Sequence, residues 1–342
     1  MSRNRLIGVA LTLLFLGLAF YRINLGEMLD ALRTANYALL APAALCTLAG
    51  YVLRAFRWQV ILAQTVQIRF PSLFGILMIG FATNNLVPAR LGELARAYLG
   101  RHRTGVRKTF FIATIFLERV FDGLVLILIL FVLSTRLSLP EWGRELQIAS
   151  TLVFFGLAAG IAFILGRQHL AAKLLRRVAG NLPQRVGFWL SSAFEMFLMG
   201  LESMRRFQRL GAVALISCTI WLLEGLSYYL LALGFDLPVS PLRLVAAVGL
   251  LLVMVNLGIM IPSAPGYVGT FQFFAVSALA VFDVPREIGL ALAVVSHLMQ
   301  YVLVTVIGLY FFGRENIRLA TLFQSDTPSS EMAVPPGSSS AQ

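Results

Sequence analysis

Long apolar runs recur along the whole sequence, and they restrict what this chain can fold into. A helix needs about 20 apolar residues to cross the hydrocarbon core of a bilayer. Hydrophobic residues make up 58% of the sequence and charged residues only 13%, which is too little charge for a soluble surface. The sequence therefore predicts an all-α integral membrane protein that crosses the bilayer several times. The long runs cover residues 6–21, 37–56, 109–133, 149–165, 211–234, 242–261 and 288–312.

Two further apolar segments are too short for an ordinary crossing. They cover residues 72–87 and 270–282, and each lies beside a Pro-x-x-x-Gly spacing, in "PARLGELA" and "PGYVGTFQ". We interpret both regions as broken or re-entrant hairpins, the first from Phe70 to Leu99 and the second from Pro262 to Phe282, which enter from opposite sides. Such a pair predicts an inverted repeat, the arrangement by which many transporters build a site near the bilayer midplane.

The two halves of this repeat give the expected domain organisation. We expect one transmembrane domain over residues 1–320, with a first half over 1–166, a basic loop over 167–209 and a second half over 210–320. The Pro- and Ser-rich residues 325–342 predict a disordered tail. Arginine and lysine concentrate in the segments that this topology places inside, so the positive-inside rule predicts cytoplasmic N- and C-termini.

One amphipathic stretch lies within the basic loop. Residues 186–204 carry serines and glutamates on one side and large apolar residues on the other, between flanking arginines. This pattern predicts a helix on the cytoplasmic surface. A further full crossing over the same residues is the alternative, and it would reverse the orientation of every later segment.

Polar side chains interrupt the first predicted hairpin. They are Asn84, Asn85, Arg90, Glu93 and Arg96. Irregular backbone at membrane depth persists only where protein buries it or where it lines a wet cavity. We therefore expect these side chains to face a water-filled interior. The alternative is an interfacial turn in which Glu93 pairs with Arg96 on one helix face.

A second charged cluster lies inside the run over residues 109–133. Glu118, Arg119 and Asp122 would each cost roughly 2.5–3.5 kcal/mol at the centre of a span, so they require compensation. Glu118 and Asp122 are four residues apart and share a helix face. We expect cationic partners for them, and a salt-bridged structural core is the alternative to a functional site. The candidate partners are Arg54, Arg57, Arg90 and Arg96.

Two polar intrusions lie in the second half of the chain. Glu224 stands alone within an apolar run, and His297 is followed by Gln300 and Tyr301 at helical spacings of three and four. We include Glu224 in the candidate site. We interpret the histidine first as a packing hydrogen bond and second as a proton carrier.

Four stretches, taken in order, resemble a known family. They are "VLRAFRW" (52–58), "NNLVPARLGELARAYL" (84–99), "LERVFDG" (117–123) and "PSAPGYVGTFQ" (262–272). Nearly the whole chain is similar to the lysylphosphatidylglycerol synthase transmembrane region family, which includes the flippase half of the multiple peptide resistance factor. The resemblance implies a lipid headgroup cavity. The positions that it implies for this cavity are Arg54, Arg57, Arg90, Glu93, Arg96, Glu118, Arg119, Asp122 and the turn Pro265, Gly266 and Tyr267.

The function that the resemblance implies is translocation of a phospholipid or another polar-headgroup lipid across the bacterial cytoplasmic membrane. The aminoacyl-transferring domain of bifunctional members is not in the sequence. We therefore expect that the protein has no synthase activity, is not an enzyme and uses no cofactor. A membrane-embedded transferase and a non-catalytic partner of a lipid-modifying enzyme are the alternatives. No P-loop motif is present, so we expect movement that is downhill or ion-coupled.

The expected partners are membrane lipids, whether anionic, zwitterionic or aminoacylated. A lipid-synthesising enzyme and a second copy of the chain are further candidates. We expect no nucleic-acid partner, because the basic residues flank membrane segments and no sizeable polar region is present to bind one.

Overall fold

The computed structural model describes residues 3–87, 91–136, 141–202, 207–261 and 265–314, and these ranges form helices joined by short turns. Single 3-10 turns cover Tyr37–Leu39 and Pro265–Tyr267. The predicted tail over residues 325–342 lies outside the described residues. The helices are α1 (Arg3–Phe20), α2 (Leu25–Thr34), α3 (Leu40–Leu62), α4 (Phe70–Leu86), α5 (Gly92–Thr104), α6 (Lys108–Arg136), α7 (Glu141–Gly166), α8 (Gln168–Gly180), α9 (Gln184–Glu202), α10 (Phe207–Gly234), α11 (Pro241–Gly258), α12 (Thr270–Ala280) and α13 (Arg286–Arg314).

Several of these helices have the length and composition of membrane spans. In the described ranges, α3, α10, α11 and α13 are long and apolar enough to cross a bilayer, and α1 with α2 adds a fifth span if this pair, bent by 81°, is counted as one. Helix α6 is 29 residues long, but Glu118, Arg119 and Asp122 interrupt its apolar sequence. The chain is a multi-pass all-α membrane protein, as the sequence predicts.

Helix α3 extends beyond its predicted end. The sequence predicts a span over residues 37–56 that stops near Arg54 and Arg57, but the helix continues to Leu62. Arg54 and Arg57 therefore lie inside a helix, where they are only 8% and 1% exposed. Their charges are buried in protein and do not mark a membrane border.

Helices α4 and α5 form the first predicted hairpin. Near its open end, Arg103 donates a hydrogen bond to Ser72 Oγ at 3.1 Å. Near its closed end, the Gly92 backbone N–H donates to Asn84 Oδ1 at 2.8 Å. Gly92 also lies directly against Gly80, because a Cβ at Gly92 would overlap the Gly80 carbonyl oxygen. Only glycine permits the two arms to approach this closely.

Helices α11 and α12 form the second hairpin. At the closed end, Gly258 lies against the ring of Phe274. At the open end, Arg243 pairs with Asp283 at 3.2 Å. The hairpin therefore begins at the start of α11, and the predicted start at Pro262 is wrong. The 18 apolar residues of α11 have the length of a crossing, so the sequence alone does not distinguish this arm from a full span.

The open ends of the two hairpins lie at opposite ends of α13. This helix has 29 residues, which corresponds to a length of about 43 Å. It starts beside the second hairpin, three residues after Asp283. Near its other end, Phe311 contacts Gly75 in the first hairpin. The hairpins therefore have opposite orientations.

The closed ends of the hairpins meet near the middle of α13. Asn85 Nδ2 donates to Thr305 Oγ1 at 3.0 Å, which ties the first tip to the helix. Gly266 lies against the ring of Tyr301 and near the Asn85 backbone carbonyl, which places the second tip beside the first. This is the inverted pair of broken helices that the sequence predicts.

The two largest apolar clusters each include residues from both halves of the repeat. The larger one joins α10, α11, α12 and α13 around Trp221, and it also includes Ala43 of α3. The other joins α3, α4, α5 and α6 around Trp58, and it also includes Phe312 of α13. The two halves therefore pack against each other along their helices as well as at the hairpin tips.

Helices α8 and α9 form an antiparallel pair within the basic loop. Gly187 of α9 lies against the Ala179 carbonyl of α8. Ile164, near the end of α7, and Phe197 of α9 belong to one apolar cluster. The start of α8 and the end of α9 therefore lie at the same level of the bundle. This pair does not add the further full crossing that is the alternative for residues 186–204. The predicted helix exists as α9, and α8 is a second helix that the sequence pattern does not predict.

Candidate functional site

A cavity lies where the two hairpin tips meet. Its volume is about 160 Å³, and side chains from both hairpins, α3, α6, α10 and α13 line it. Several of the residues predicted from the sequence reach it. They are Arg54, Asn84, Asn85, Glu93, Arg119, Glu224 and Tyr267.

The other predicted site residues have different positions. Gly266 has a positive φ of 69°, so it shapes the second hairpin tip next to Pro265, and neither residue lines the cavity. Arg90 lies outside the described residues. Four charged residues stand behind the cavity wall, where they pair with one another. They are Arg57, Arg96, Glu118 and Asp122.

The tightest ion pair behind the wall joins Arg57 of α3 to Asp122 of α6. Nη1 and Nη2 of Arg57 donate to the two carboxylate oxygens of Asp122 at 2.6 and 3.2 Å. Trp221 Nε1 donates to the same carboxylate at 3.2 Å. This two-pronged geometry is the strong form of the arginine–carboxylate pair, and it fixes α3 against α6.

A second buried pair joins Arg96 of α5 to Glu118 of α6 at 2.7 Å. The Arg96 guanidinium also lies 4.1 Å from the centre of the Trp58 ring, a favourable cation–π position. The expected partnership of Glu118 with an arginine is therefore present. The alternative turn, in which Glu93 pairs with Arg96, is wrong, because the Glu93 carboxylate points to Arg119 on another helix.

The cavity wall itself carries two ion pairs at different depths. Arg119 and Glu93 lie 3.4 Å apart with side chains 38% and 36% exposed, so they form the accessible rim. Arg54 and Glu224 lie 3.5 Å apart with side chains 10% and 9% exposed, so they lie deeper. Asp122 connects the rim pair to the deeper pair, because it is 3.9 Å from Arg54 and 3.5 Å from Arg119.

These ion pairs form one network with no net charge. Across the described residues it contains four arginines and four carboxylates, contributed by α3, α5, α6 and α10. Removing one member of a buried pair leaves an uncompensated charge and costs about 3–5 kcal/mol. The network therefore fixes the positions of the arginines and glutamates that reach the cavity.

Aromatic and amide side chains supply most of the rest of the wall, and the sequence pattern does not assign them to the site. In an apolar helix such residues look like ordinary core positions, and only their contact with the cavity distinguishes them. They are Tyr51, Phe81, Trp221, Tyr228, Asn256, Phe271, Gln300 and Tyr301.

His297 lines the cavity and holds the second hairpin tip. Its Nδ1 accepts a hydrogen bond from Gln272 Nε2 at 3.0 Å, and its ring stacks on Phe271 with centres 4.4 Å apart. Gln272 in turn accepts the backbone N–H of Gly269 at 2.8 Å. These contacts agree with the packing interpretation of this histidine.

The fold and the cavity define the class of the protein. It is a multi-pass membrane protein in which two opposed hairpins enclose a charged and aromatic cavity within the helical bundle. The chain belongs to the lysylphosphatidylglycerol synthase TM region family, whose model matches residues 5–308.

Relatives of known sequence include archaeal proteins. The chain is 27% identical over 330 residues to glycosyltransferase AglD of Haloferax volcanii, a match that covers 88% of this chain and 52% of AglD. The chain thus spans about half the length of that relative. It is 23% identical over 326 residues to a UPF0104 membrane protein of Methanothermobacter thermautotrophicus, with 91% and 93% of the two chains covered. No solved structure matches the chain.

Proposed function

We propose that the protein translocates a lipid with a polar headgroup across the membrane. The observation that carries this proposal is the cavity at the meeting point of two opposed hairpin tips, near the middle of α13. Transferring polar groups into hydrocarbon without hydrogen-bond partners costs several kcal/mol. A lined cavity lowers that cost for a headgroup, while the acyl chains remain in the bilayer.

The cavity residues have distinct roles in this proposal. Arg119 and Glu93 at the rim meet the headgroup first, and Arg54 and Glu224 receive it deeper in the cavity. Arginine donors and carboxylate acceptors together offer hydrogen bonds of both kinds. Arginines pair with the carboxylates of both Glu118 and Asp122. We therefore assign these two acids a positioning role and no contact with the lipid.

The proposal includes a location and an orientation. We place the protein in the cytoplasmic membrane with both termini and the first hairpin's open end in the cytoplasm, following the bias of basic residues. We propose movement without ATP hydrolysis by this chain, no cofactor and no catalytic role. Membrane lipids are the proposed partners.

A second candidate function is favoured by one observation, the similarity to a protein named glycosyltransferase over 88% of this chain. In that case the chain would act with, or as part of, a transferase for lipid-linked sugars. An assay of sugar transfer to membrane lipids by the purified protein separates this candidate from translocation.

The experiment for translocation uses the purified full chain in liposomes that contain acyl-labelled fluorescent lipids. A membrane-impermeant reductant quenches only the outer leaflet, so translocation increases the quenched fraction. We expect Arg119→Gln to slow translocation roughly tenfold or more, because one charge-assisted hydrogen bond is worth about 1.5–3 kcal/mol.

A matched control is available outside the cavity. Arg243 forms an exposed ion pair with Asp283 at 3.2 Å, so Arg243→Gln makes the same chemical change at a site that contributes little. We expect this variant to retain the wild-type rate. Equal rates for both variants and the wild type would contradict the proposed role of the cavity.

A further inference from the structure

Within the described residues, the charged groups that line the cavity already pair with one another. Arg119 faces Glu93 at 3.4 Å and Arg54 faces Glu224 at 3.5 Å, and the connected network balances in the described residues. A headgroup with a net charge would have to separate one of these pairs and leave its partner uncompensated. The network therefore offers hydrogen bonds without favouring either sign of charge.

Aromatic side chains form much of the remaining wall. Among them are Tyr51, Phe81, Trp221, Tyr228 and Tyr301. Tyr51 meets the ring of Phe81 edge-on, with centres 5.1 Å apart, so its orientation is fixed. Such rings combine a broad apolar face with a polar edge in the case of tyrosine and tryptophan. They suit a ligand that presents C–H groups on one face and polar groups around its rim.

Amide side chains supply the polar groups between the rings. Asn84, Asn85 and Asn256 each use one end of the amide within the protein, to Gly92, Thr305 and Leu252 respectively. A primary amide has a donor end and an acceptor end, so the opposite end can serve a ligand. Hydroxyl groups are the matching partners, because each hydroxyl both donates and accepts.

From this combination we infer that the lipid carries an uncharged, hydroxyl-rich headgroup such as a sugar. The inference rests on the proposed function and names its substrate class. A sugar ring presents C–H groups to the aromatic faces and hydroxyl groups to the amides and to the paired Arg54 and Glu224. None of these contacts requires an ion pair to break.

Three labelled lipids with the same acyl chains test the inference in the liposome assay. Their headgroups are glucose, phosphoglycerol and phosphoglycerol bearing lysine, which are uncharged, anionic and cationic. We expect the glucosyl lipid to move at least about fivefold faster than either charged lipid, since imperfectly paired polar groups reduce binding strongly. Equal rates, or faster movement of a charged lipid, would overturn the inference and leave translocation standing. Movement of none of the lipids would overturn both proposals.

Cavity variants test the recognition itself. Asn256→Leu keeps the approximate size but removes the amide, and Tyr51→Leu removes the ring, whereas Tyr51→Phe keeps it. We expect the first two to slow the glucosyl lipid at least about fivefold and Tyr51→Phe to retain most of the rate. Thermal unfolding in detergent identifies variants that fail to fold. Folded Asn256→Leu and Tyr51→Leu proteins with wild-type preference for the glucosyl lipid would overturn the inference.

Discussion

At the scale of single residues, pairs of buried opposite charges determine the stability of this protein. The sequence indicates that Glu118 and Asp122 need cationic partners, since the cost of an isolated charge in a span is large. It does not decide which arginine pairs with which acid. Glu93 and Arg96 have the right spacing for a local pair, but the tertiary contacts of Glu93 with Arg119 and Arg96 with Glu118 form instead.

The buried pair of Arg96 and Glu118 gives a prediction about stability. Glu118→Gln leaves the Arg96 charge without its partner, so we expect a loss of about 3–5 kcal/mol of folding free energy and a clearly lower unfolding temperature in detergent. The double variant Arg96→Met with Glu118→Gln removes the uncompensated charge and should recover part of the loss.

The exposed pair of Arg243 and Asp283 is the control for this measurement. Its side chains are 52% and 86% exposed, so Asp283→Asn should cost less than about 1 kcal/mol. A Glu118→Gln protein as stable as the wild type, or a double variant less stable than the single one, would show that this pair does not hold the bundle together.

At the scale of helices, glycine contacts determine how closely the arms of the hairpins pack. The Pro-x-x-x-Gly spacing predicts where the broken helices turn, but it does not predict which arms pair. The sequence alone does not indicate that α11 is an arm of the second hairpin, because 18 apolar residues are long enough for a crossing as well as for a hairpin arm. The closeness of α4 and α5 also depends on Gly80 and Gly92, whose contact joins positions twelve residues apart.

Substitution of Gly92 tests the first hairpin. A Cβ there would overlap the Gly80 carbonyl, which is backbone and cannot rotate away. We expect Gly92→Ala to destabilise the protein by about 1–3 kcal/mol, as overpacking does in other tightly packed interiors. Thermal unfolding in detergent gives the effect.

Gly123 of α6 provides the matched control. A Cβ at this position meets nothing within 4 Å, and alanine is the better helix former by about 1 kcal/mol. Gly123→Ala should therefore leave the unfolding temperature unchanged or raise it. If both glycine variants behaved alike, the close approach of α4 and α5 would not limit the stability of the hairpin.

At the scale of the whole molecule, the opposed hairpins and the cavity between them define the protein. Apolar runs and short broken segments were sufficient to predict the inverted repeat. The aromatic side chains of the cavity wall could not be predicted, because Tyr51, Trp221 and Tyr228 lie in helices whose sequence pattern is that of ordinary buried spans. Only the assembled bundle brings them together with Glu224 and Arg54.

Thiol labelling tests the opposed orientation. His102, near the open end of the first hairpin, and Ser240, at the open end of the second, are both exposed. Each is replaced by cysteine in a background that lacks Cys46 and Cys218. We expect an impermeant reagent added to intact cells to label the cysteine at position 240 and to spare the one at position 102. Equal labelling of the two would contradict the topology.

The central claim is that the lipid headgroup passes through the cavity, and reversible blockage tests it most directly. Asn256→Cys, in the background lacking Cys46 and Cys218, places one thiol in the cavity wall, and Leu242→Cys places one at a position 83% exposed. A water-soluble reagent that forms a disulfide with the thiol is then added to proteoliposomes. We predict that it stops lipid translocation by the Asn256→Cys protein, that a thiol reductant restores it, and that the Leu242→Cys protein is unaffected. Unchanged translocation by a fully modified Asn256→Cys protein would contradict the claim.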